Sequence, residues 1–137
     1  MKNLLLLFIL FVSSCNNDDE LMPLHITDIQ LTDVGQIHYE FSFDAAPGEN
    51  GTQKCTVKTL NIKKNDTIKY IDGFIQGEKI NIDIVSAPYD FDCNEDSCFT
   101  VHNVSFGLNG LKTKEYNINI RVNMTSMGNF NYQFKPF

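Results

Sequence analysis

The chain has 137 residues, a length that fits one domain. Apolar residues make up 42% and charged residues 20%, so the chain can bury a core and is not an intrinsically disordered segment. The formal net charge of −6 argues against a nucleic-acid partner, because phosphate recognition requires clustered Lys and Arg side chains.

The first fifteen residues are organised like a bacterial lipoprotein export signal. Lys2 is followed by an unbroken apolar run over residues 4–12. That run is too short for a membrane-spanning helix, which needs about 20 apolar residues, but it has the length of a signal-peptide hydrophobic region. The sequence Val12-Ser13-Ser14-Cys15 then resembles a lipobox, in which a peptidase cuts before the cysteine and the new N-terminus is lipidated. The resemblance implies a signal peptide over residues 1–14 and lipid attachment at Cys15. An ordinary signal peptide with a chance cysteine is the alternative.

Residues 16–20, Asn-Asn-Asp-Asp-Glu, are polar and mostly acidic, and Pro23 ends this stretch. Such a composition predicts a flexible tether. We therefore expect the lipidated cysteine and tether over residues 15–23 and a single domain over residues 24–137. The acidic run also resembles the export signal that many Bacteroidetes lipoproteins carry after the lipidated cysteine, which implies the outer face of the outer membrane. A solvated linker on a periplasm-facing lipoprotein is the alternative.

From His25 onward, apolar and polar residues alternate with the period of two that is typical of β-strands, and no helical periodicity is present. The clearest alternations cover residues 37–43, 80–84, 116–124 and 130–134, with weaker segments at 29–31, 55–62, 68–70 and 99–108. Seven or eight half-buried strands predict an antiparallel β-sandwich, with a small closed barrel as the alternative.

The phase of the alternation switches inside two segments. A switch requires an extra residue, so we expect β-bulges near Lys58-Thr59 and His102-Asn103. Composition predicts a loop at residues 47–51, a hairpin turn at residues 63–66 and a final turn at residues 126–129.

Residues 108–120 resemble the turn into strand F of immunoglobulin-like and fibronectin type III domains. In those domains a tyrosine opens the strand and its hydroxyl caps the backbone a few residues upstream. The resemblance implies an immunoglobulin-like sandwich in which Tyr116 forms the tyrosine corner.

Three cysteines remain besides Cys15, namely Cys55, Cys93 and Cys98. Export implies an oxidising compartment, so we expect one disulfide and one free thiol. The short Cys93–Cys98 ring is favoured, and a pairing of either residue with Cys55 stays open. The C-x₄-C spacing lacks the second pair that a zinc site would need.

The stretch around Cys93 and Cys98 is the most acidic of the domain. Asp90, Asp92, Glu95 and Asp96 supply hard oxygen ligands that could hold Ca²⁺, although they do not follow the EF-hand pattern. A solvated acidic loop is the alternative, and no other cofactor is expected.

Two further features concern glycans. Asp66-Thr67-Ile68 resembles the motif at which Bacteroidetes O-glycosylate exported proteins, which makes Thr67 a candidate attachment site. A second group of polar residues faces one way on the last two strands and could hydrogen-bond sugars, although no exposed aromatic platform is evident beside it: Asn117, Asn119, Arg121, Asn123, Asn131 and Gln133. A solvated sheet face is the alternative.

No catalytic motif or phosphate-binding loop occurs in the sequence. The chain as a whole resembles the small Bacteroidetes outer-membrane lipoproteins that carry one β-domain. We therefore expect a non-enzymatic, lipid-anchored surface module that binds a protein or glycan partner, with the contact at residues 88–98. A periplasm-facing inhibitor, immunity protein or envelope-complex subunit is the alternative.

Protease treatment of intact cells tests the export prediction. A large protease that cannot cross the outer membrane should remove the domain of residues 21–137 while periplasmic control proteins survive. Protection of the domain until the outer membrane is broken would contradict the export role of residues 16–20 and favour a periplasmic partner.

Overall fold

The computed structural model describes residues 20–35, 40–63, 67–86 and 99–136, and these contain nine β-strands and no helix. The strands are β1 (Met22–Pro23), β2 (His25–Gly35), β3 (Ser42–Pro47), β4 (Thr52–Lys63), β5 (Ile68–Gln76), β6 (Lys79–Ser86), β7 (Phe99–Asn109), β8 (Glu115–Val122) and β9 (Thr125–Gln133). The predicted all-β class is confirmed. The two-residue β1, which pairs with β5, raises the strand count above seven or eight.

The strands form two sheets that enclose the core as a β-sandwich. One sheet has the order β1-β5-β6-β8-β9, and the other has the order β2-β7-β4-β3. Neighbouring strands are antiparallel, as predicted, except for the parallel pair β6 and β8. Parallel neighbours need a crossover connection, and β7 supplies it by running through the opposite sheet between them.

The core is built from alternate residues of each sheet. In the five-stranded sheet, Ile80, Ile82 and Ile84 of β6 and Ile118 and Ile120 of β8 are fully buried. The opposite sheet contributes Cys55, Val57, Leu60, Val104, Phe106 and Leu108, all at most 1% exposed. Burying an aliphatic side chain stabilises the fold by about 1.5–3 kcal/mol, so this double layer supplies the main stabilisation.

Aromatic side chains join the two sheets along one side of the sandwich. The ring of Phe43 on β3 lies 6.0 Å from that of Phe130 and 5.5 Å from that of Tyr132, both on β9. The Tyr132 hydroxyl also donates a hydrogen bond to the backbone oxygen of Ala45. We call Phe43, Phe130, Tyr132 and Phe134 the aromatic seam, because together they hold β9 against β3.

The extra residue predicted near Lys58-Thr59 is present. Val57 and Leu60 are both fully buried, and the register with β7 shifts between them. Thr59 adopts a φ of 65°, and its N–H donates to Asn103 Oδ1 at 3.3 Å. The predicted bulge at His102-Asn103 is therefore on the wrong strand, because the extra residue lies on β4 and Asn103 lies opposite it.

Strand β2 contains a similar irregularity. Its register with β7 shifts between Thr27 and Gln30, and Asp28 adopts a φ of 53°. The shift reverses the alternation, so Ile29 is 43% exposed although Leu31 packs against the core. Both residues belong to one strand, as predicted, but they do not share a face.

The loop predicted at residues 47–51 joins β3 to β4, but two other turn predictions are wrong. Residues 64–66 lie outside the described part, yet they join β4 to β5, which belong to different sheets, so no hairpin forms there. The last hairpin turns at Asn123 and Met124, whose φ values of 47° and 69° are those of a type I′ turn. Gly128 lies inside β9, where a Cβ would come within 3.0 Å of the Phe130 ring.

Tyr116 opens β8 and is 2% exposed. Its hydroxyl oxygen accepts a hydrogen bond from the backbone N–H of Lys112 at 3.3 Å, and its ring lies 5.7 Å from that of Phe134. A backbone contact four residues upstream is the contact that the resemblance to a tyrosine corner implies. The side chain thus links the turn before β8 to the aromatic seam.

Replacing Tyr116 with Phe should lower the free energy of unfolding by about 0.5–1.5 kcal/mol, because the Lys112 N–H loses its acceptor while the ring packing remains. Urea denaturation of both proteins measures the change. Tyr70→Phe is the matched control, because the Tyr70 ring is 48% exposed and its loss of a hydroxyl should leave stability unchanged. Equal stability of Tyr116→Phe and the parent would contradict a capping role.

Candidate ligand-binding face

Several predicted site residues lie outside the described part of the chain. They are the lipidation residue Cys15, the disulfide candidates Cys93 and Cys98, and the Ca²⁺ candidates Asp90, Asp92, Glu95 and Asp96. Lipidation, the Cys93–Cys98 bridge and Ca²⁺ binding stay predictions. Thr67 is described and exposed, and it directly precedes β5.

Cys55 is a free thiol that is completely buried. Burial raises the pKa of this thiol to about 12, and the Asp44 carboxylate adds to the shift. In the register of β4 and β7, Cys55 lies opposite Phe106, whereas Phe99, which follows Cys98 in the sequence, lies opposite Lys63.

The strand between Phe99 and Phe106 spans about 23 Å at about 3.3 Å per residue. A disulfide requires Cα atoms within about 7 Å of each other. Cys55 and Phe99 therefore lie farther apart than a disulfide allows, and the disulfide pairing of Cys93 and Cys98, which lie outside the described residues, stays a prediction.

The outer surface of the five-stranded sheet carries an ordered array of polar side chains. We call it the amide face and define it by Tyr70, Asp72, Phe74, Asn81, Asp83, Asn117, Asn119, Arg121, Asn129 and Asn131. The array results from the parallel pairing of two similar segments, Ile-Asn-Ile-Asp-Ile at residues 80–84 and Ile-Asn-Ile-Arg-Val at residues 118–122. Because the register places equivalent positions side by side, the isoleucines of both strands enter the core and the polar residues meet outside.

An ion pair lies at the centre of the amide face. The Arg121 guanidinium donates through Nε and Nη2 to both carboxylate oxygens of Asp83, and these side chains are 23% and 16% exposed. The hydrogen bond to Asp83 raises the pKa of Arg121 above its ordinary value. The guanidinium also lies over the ring of Phe74, with 5.7 Å between Arg121 Cζ and the ring centroid. These contacts fix the planar cation against the sheet.

Amide pairs flank the ion pair. Asn119 donates to Asn81 Oδ1 at 3.1 Å and accepts from the Ser126 hydroxyl at 2.7 Å. Asn117 Nδ2 donates to Asn131 Oδ1 at 2.9 Å. Within the described part of the chain, Asn117 Oδ1 and Asn131 Nδ2 have no protein partner, so an acceptor and a donor stand next to each other facing solvent.

The structure also places two aromatic residues on this face, which the sequence analysis did not find. Tyr70 is 48% exposed. Phe74 lies on the same strand as Tyr70, β5, and pairs with Asn81, two residues along β6 from Asp83 of the ion pair. A register shift between Ile68 and Tyr70 turns Tyr70 outward, although the two residues have the same phase in the sequence. Phe74 could not be assigned to this face from the sequence, because Ile75 beside it is also apolar and the alternation does not show which of the two faces the core.

A concavity of about 320 Å³ lies on the outer surface of the four-stranded sheet. Asp28, Gln30, Glu49 and Lys54 contribute to its lining. This concavity is the weaker candidate, because Phe106, the one aromatic residue among its described lining, is 1% exposed and offers no ring surface to a ligand.

Among the residues that the structure describes, no group of three or more His, Cys, Asp or Glu side chains is placed to hold a metal ion. In the same residues no helix has the length and apolarity to cross a membrane. No protein-family model, curated protein or solved structure matches the chain. The argument about function therefore depends on the geometry of the amide face and on the N-terminal sequence.

Cys55 should resist a small thiol reagent in the folded protein even at about pH 9, because burial blocks access and keeps the thiol protonated. Mass spectrometry locates the label, and denatured protein provides the control in which Cys55 reacts. Since the unfolded thiol titrates near pH 9 and the folded one near pH 12, its contribution to stability is complete below pH 9 and is lost as the pH rises toward 12. Rapid native labelling of Cys55 would contradict this account.

Proposed function

We propose that the protein is a non-enzymatic binding module that recognises neutral carbohydrate on its amide face. In this proposal Cys15 carries the lipid and the domain stands on the outer surface of the outer membrane. The observation that carries the proposal is the arrangement of Arg121, Asp83 and Phe74, beside which the aligned asparagines offer fixed hydrogen-bonding groups.

Preorganisation favours this assignment. Binding normally costs about 0.5–1.5 kcal/mol for each flexible side chain that becomes immobilised. On the amide face the hydrogen bonds between Asn81 and Asn119, and between Asn117 and Asn131, already hold the amides in place. A ligand therefore meets groups whose orientation is set by the sheet.

The chemistry of the uncommitted groups fits hydroxyls. Each sugar hydroxyl can donate and accept a hydrogen bond, and neighbouring hydroxyls on a ring present two such groups together. Asn117 Oδ1 and Asn131 Nδ2 offer an acceptor and a donor at adjacent positions. The exposed ring of Tyr70 lies about 20 Å farther along the sheet than these two amides, at about 3.3 Å per residue. It therefore adds an apolar surface for the C–H side of a different sugar ring of the same polysaccharide.

The charges of the face favour a neutral ligand. Asp83 matches the positive charge of Arg121, and the exposed Asp72 lies opposite Asp83 in the register of β5 and β6. Lys79 lies at the margin, beside Asn117. An anionic sugar would therefore meet the Asp72 carboxylate and find the central guanidinium already engaged.

The double variant Asn117→Ala/Asn131→Ala tests the proposal. It should weaken binding to a neutral polysaccharide about tenfold, because two hydrogen bonds worth about 0.5–1.5 kcal/mol each are removed. Affinity electrophoresis in gels that contain a mannan, a galactan or a β-glucan, run beside a uronic-acid polymer, measures binding.

The matched control is Asn61→Ala, an exposed amide on the outer surface of the four-stranded sheet, which should bind like the parent. Thermal melting of all variants verifies folding. Failure of the parent to be retarded by any neutral polysaccharide, or equal retardation of the double variant and the parent, would reject the amide face as a carbohydrate site.

A further inference from the structure

Three rows of polar side chains cross the five-stranded sheet on the amide face. Strand β8 contributes Asn117, Asn119 and Arg121, one residue to each row. Their partners lie on the neighbouring strands, with Asn131 beside Asn117 and Asp83 beside Arg121. Successive rows are two residues apart, which is about 7 Å along the strands. The rows therefore form a continuous polar track across the sheet.

The exposed groups that can contact a sugar lie at the two ends of this track. Asn117 and Asn131 are exposed at one end. Tyr70, which is 48% exposed, marks the other end and pairs with Val85 of β6. Strand β6 covers about 20 Å between Lys79, which lies beside Asn117, and Val85. Because β5 also lies two strand spacings from β8, about 10 Å, the two ends are about 22 Å apart on the diagonal.

The middle of the track also offers hydrogen-bond donors. The charge of Arg121 is matched by Asp83, but this pairing uses only two of the five N–H groups of the guanidinium. Within the part of the chain that the structure describes, the other three have no protein acceptor. The guanidinium is held in place over the ring of Phe74. Its remaining N–H groups can therefore donate to hydroxyls of a sugar that lies between the two ends.

We propose that the amide face binds a single extended, linear chain of neutral sugars along this diagonal, and that it recognises internal sugars of the chain. This inference rests on the proposed function. A distance of about 22 Å is longer than a disaccharide, so Tyr70 and the two amides contact one ligand only when several sugar rings lie in line. A short or coiled chain would reach one end of the track alone.

The position of the site on the fold favours internal sugars. All residues that define the amide face lie within strands β5, β6, β8 and β9. Side chains that stand next to one another on a sheet present a row of contacts and do not surround the end of a chain. A polysaccharide can therefore continue past the track in both directions.

A chain that contacts both ends of the track gains affinity from its length. After one end of the track has bound, the contact at the other end forms within the same complex, at a high effective concentration. We therefore expect binding to strengthen when an oligosaccharide becomes long enough to span the distance between Tyr70 and the amides.

NMR titrations of the full chain, in a detergent without a sugar headgroup, test the proposal. The probes are the hexasaccharide and the disaccharide released from the mannan, galactan or β-glucan that retards the parent in affinity electrophoresis. The hexasaccharide should shift the side-chain amide signals of Asn117 and Asn131 and the backbone amide signal of Tyr70 with one dissociation constant, at one hexasaccharide per protein. The disaccharide should bind about tenfold more weakly.

A variant at one end of the track separates the two contacts. Tyr70→Ala should weaken binding of the hexasaccharide about fivefold, because the apolar surface for one sugar ring is lost. It should leave the effect of the disaccharide on Asn117 and Asn131 unchanged, since a disaccharide at the amides does not reach position 70. The matched control is Ile29→Ala, which removes a side chain of similar exposure, 43%, from the opposite sheet and should bind like the parent.

The dispersion of the amide signals verifies that both variants are folded. Equal affinity for the two oligosaccharides, two hexasaccharides bound to one protein, or unchanged hexasaccharide binding by Tyr70→Ala would overturn the extended-chain proposal and leave carbohydrate binding in place. A parent that no neutral polysaccharide retards would reject the proposed function, and the extended-chain proposal with it.

Discussion

The contact between β3 and β9 joins the two sheets along one side of the sandwich. Phe43 on one sheet packs against Phe130 and Tyr132 on the other, and the Tyr132 hydroxyl binds the backbone of β3. Nearby, the buried side chain of Gln53 donates to the backbone oxygen of Lys135 at 2.9 Å and fixes the chain that follows β9. β9 pairs with β8, whose outer surface supplies three of the ten residues of the amide face: Asn117, Asn119 and Arg121.

Much of the fold could be predicted because the alternation of apolar and polar residues along a strand indicates which side chains are buried. Ile80, Ile82 and Ile84 indicated a strand with one buried face, and the phase change between Val57 and Leu60 indicated an extra residue. Both features depend only on which neighbours along the chain are apolar, so the sequence contains them directly.

The remaining features depend on partners that are distant along the chain. Nothing near residues 63–67 shows that β5 belongs to the opposite sheet from β4, because sheet membership is decided by pairing with β1 and β6. The outward position of Tyr70 depends on a shift of register against β6. The amides of β8 could be placed on an outer surface, but their pairing with Asn81 and Asp83 required the parallel neighbour to be known.

That parallel neighbour has a consequence for how the protein folds. Asn81 and Asn119 are separated by 38 positions, so β6 and β8 must find each other across a long loop that includes the whole of β7. Contacts of such long range slow folding, because chain entropy is lost before the contacts can stabilise the chain. During this delay β8 and the uncharged β9 remain without their sheet. The step most exposed to aggregation is therefore the same step that builds the amide face.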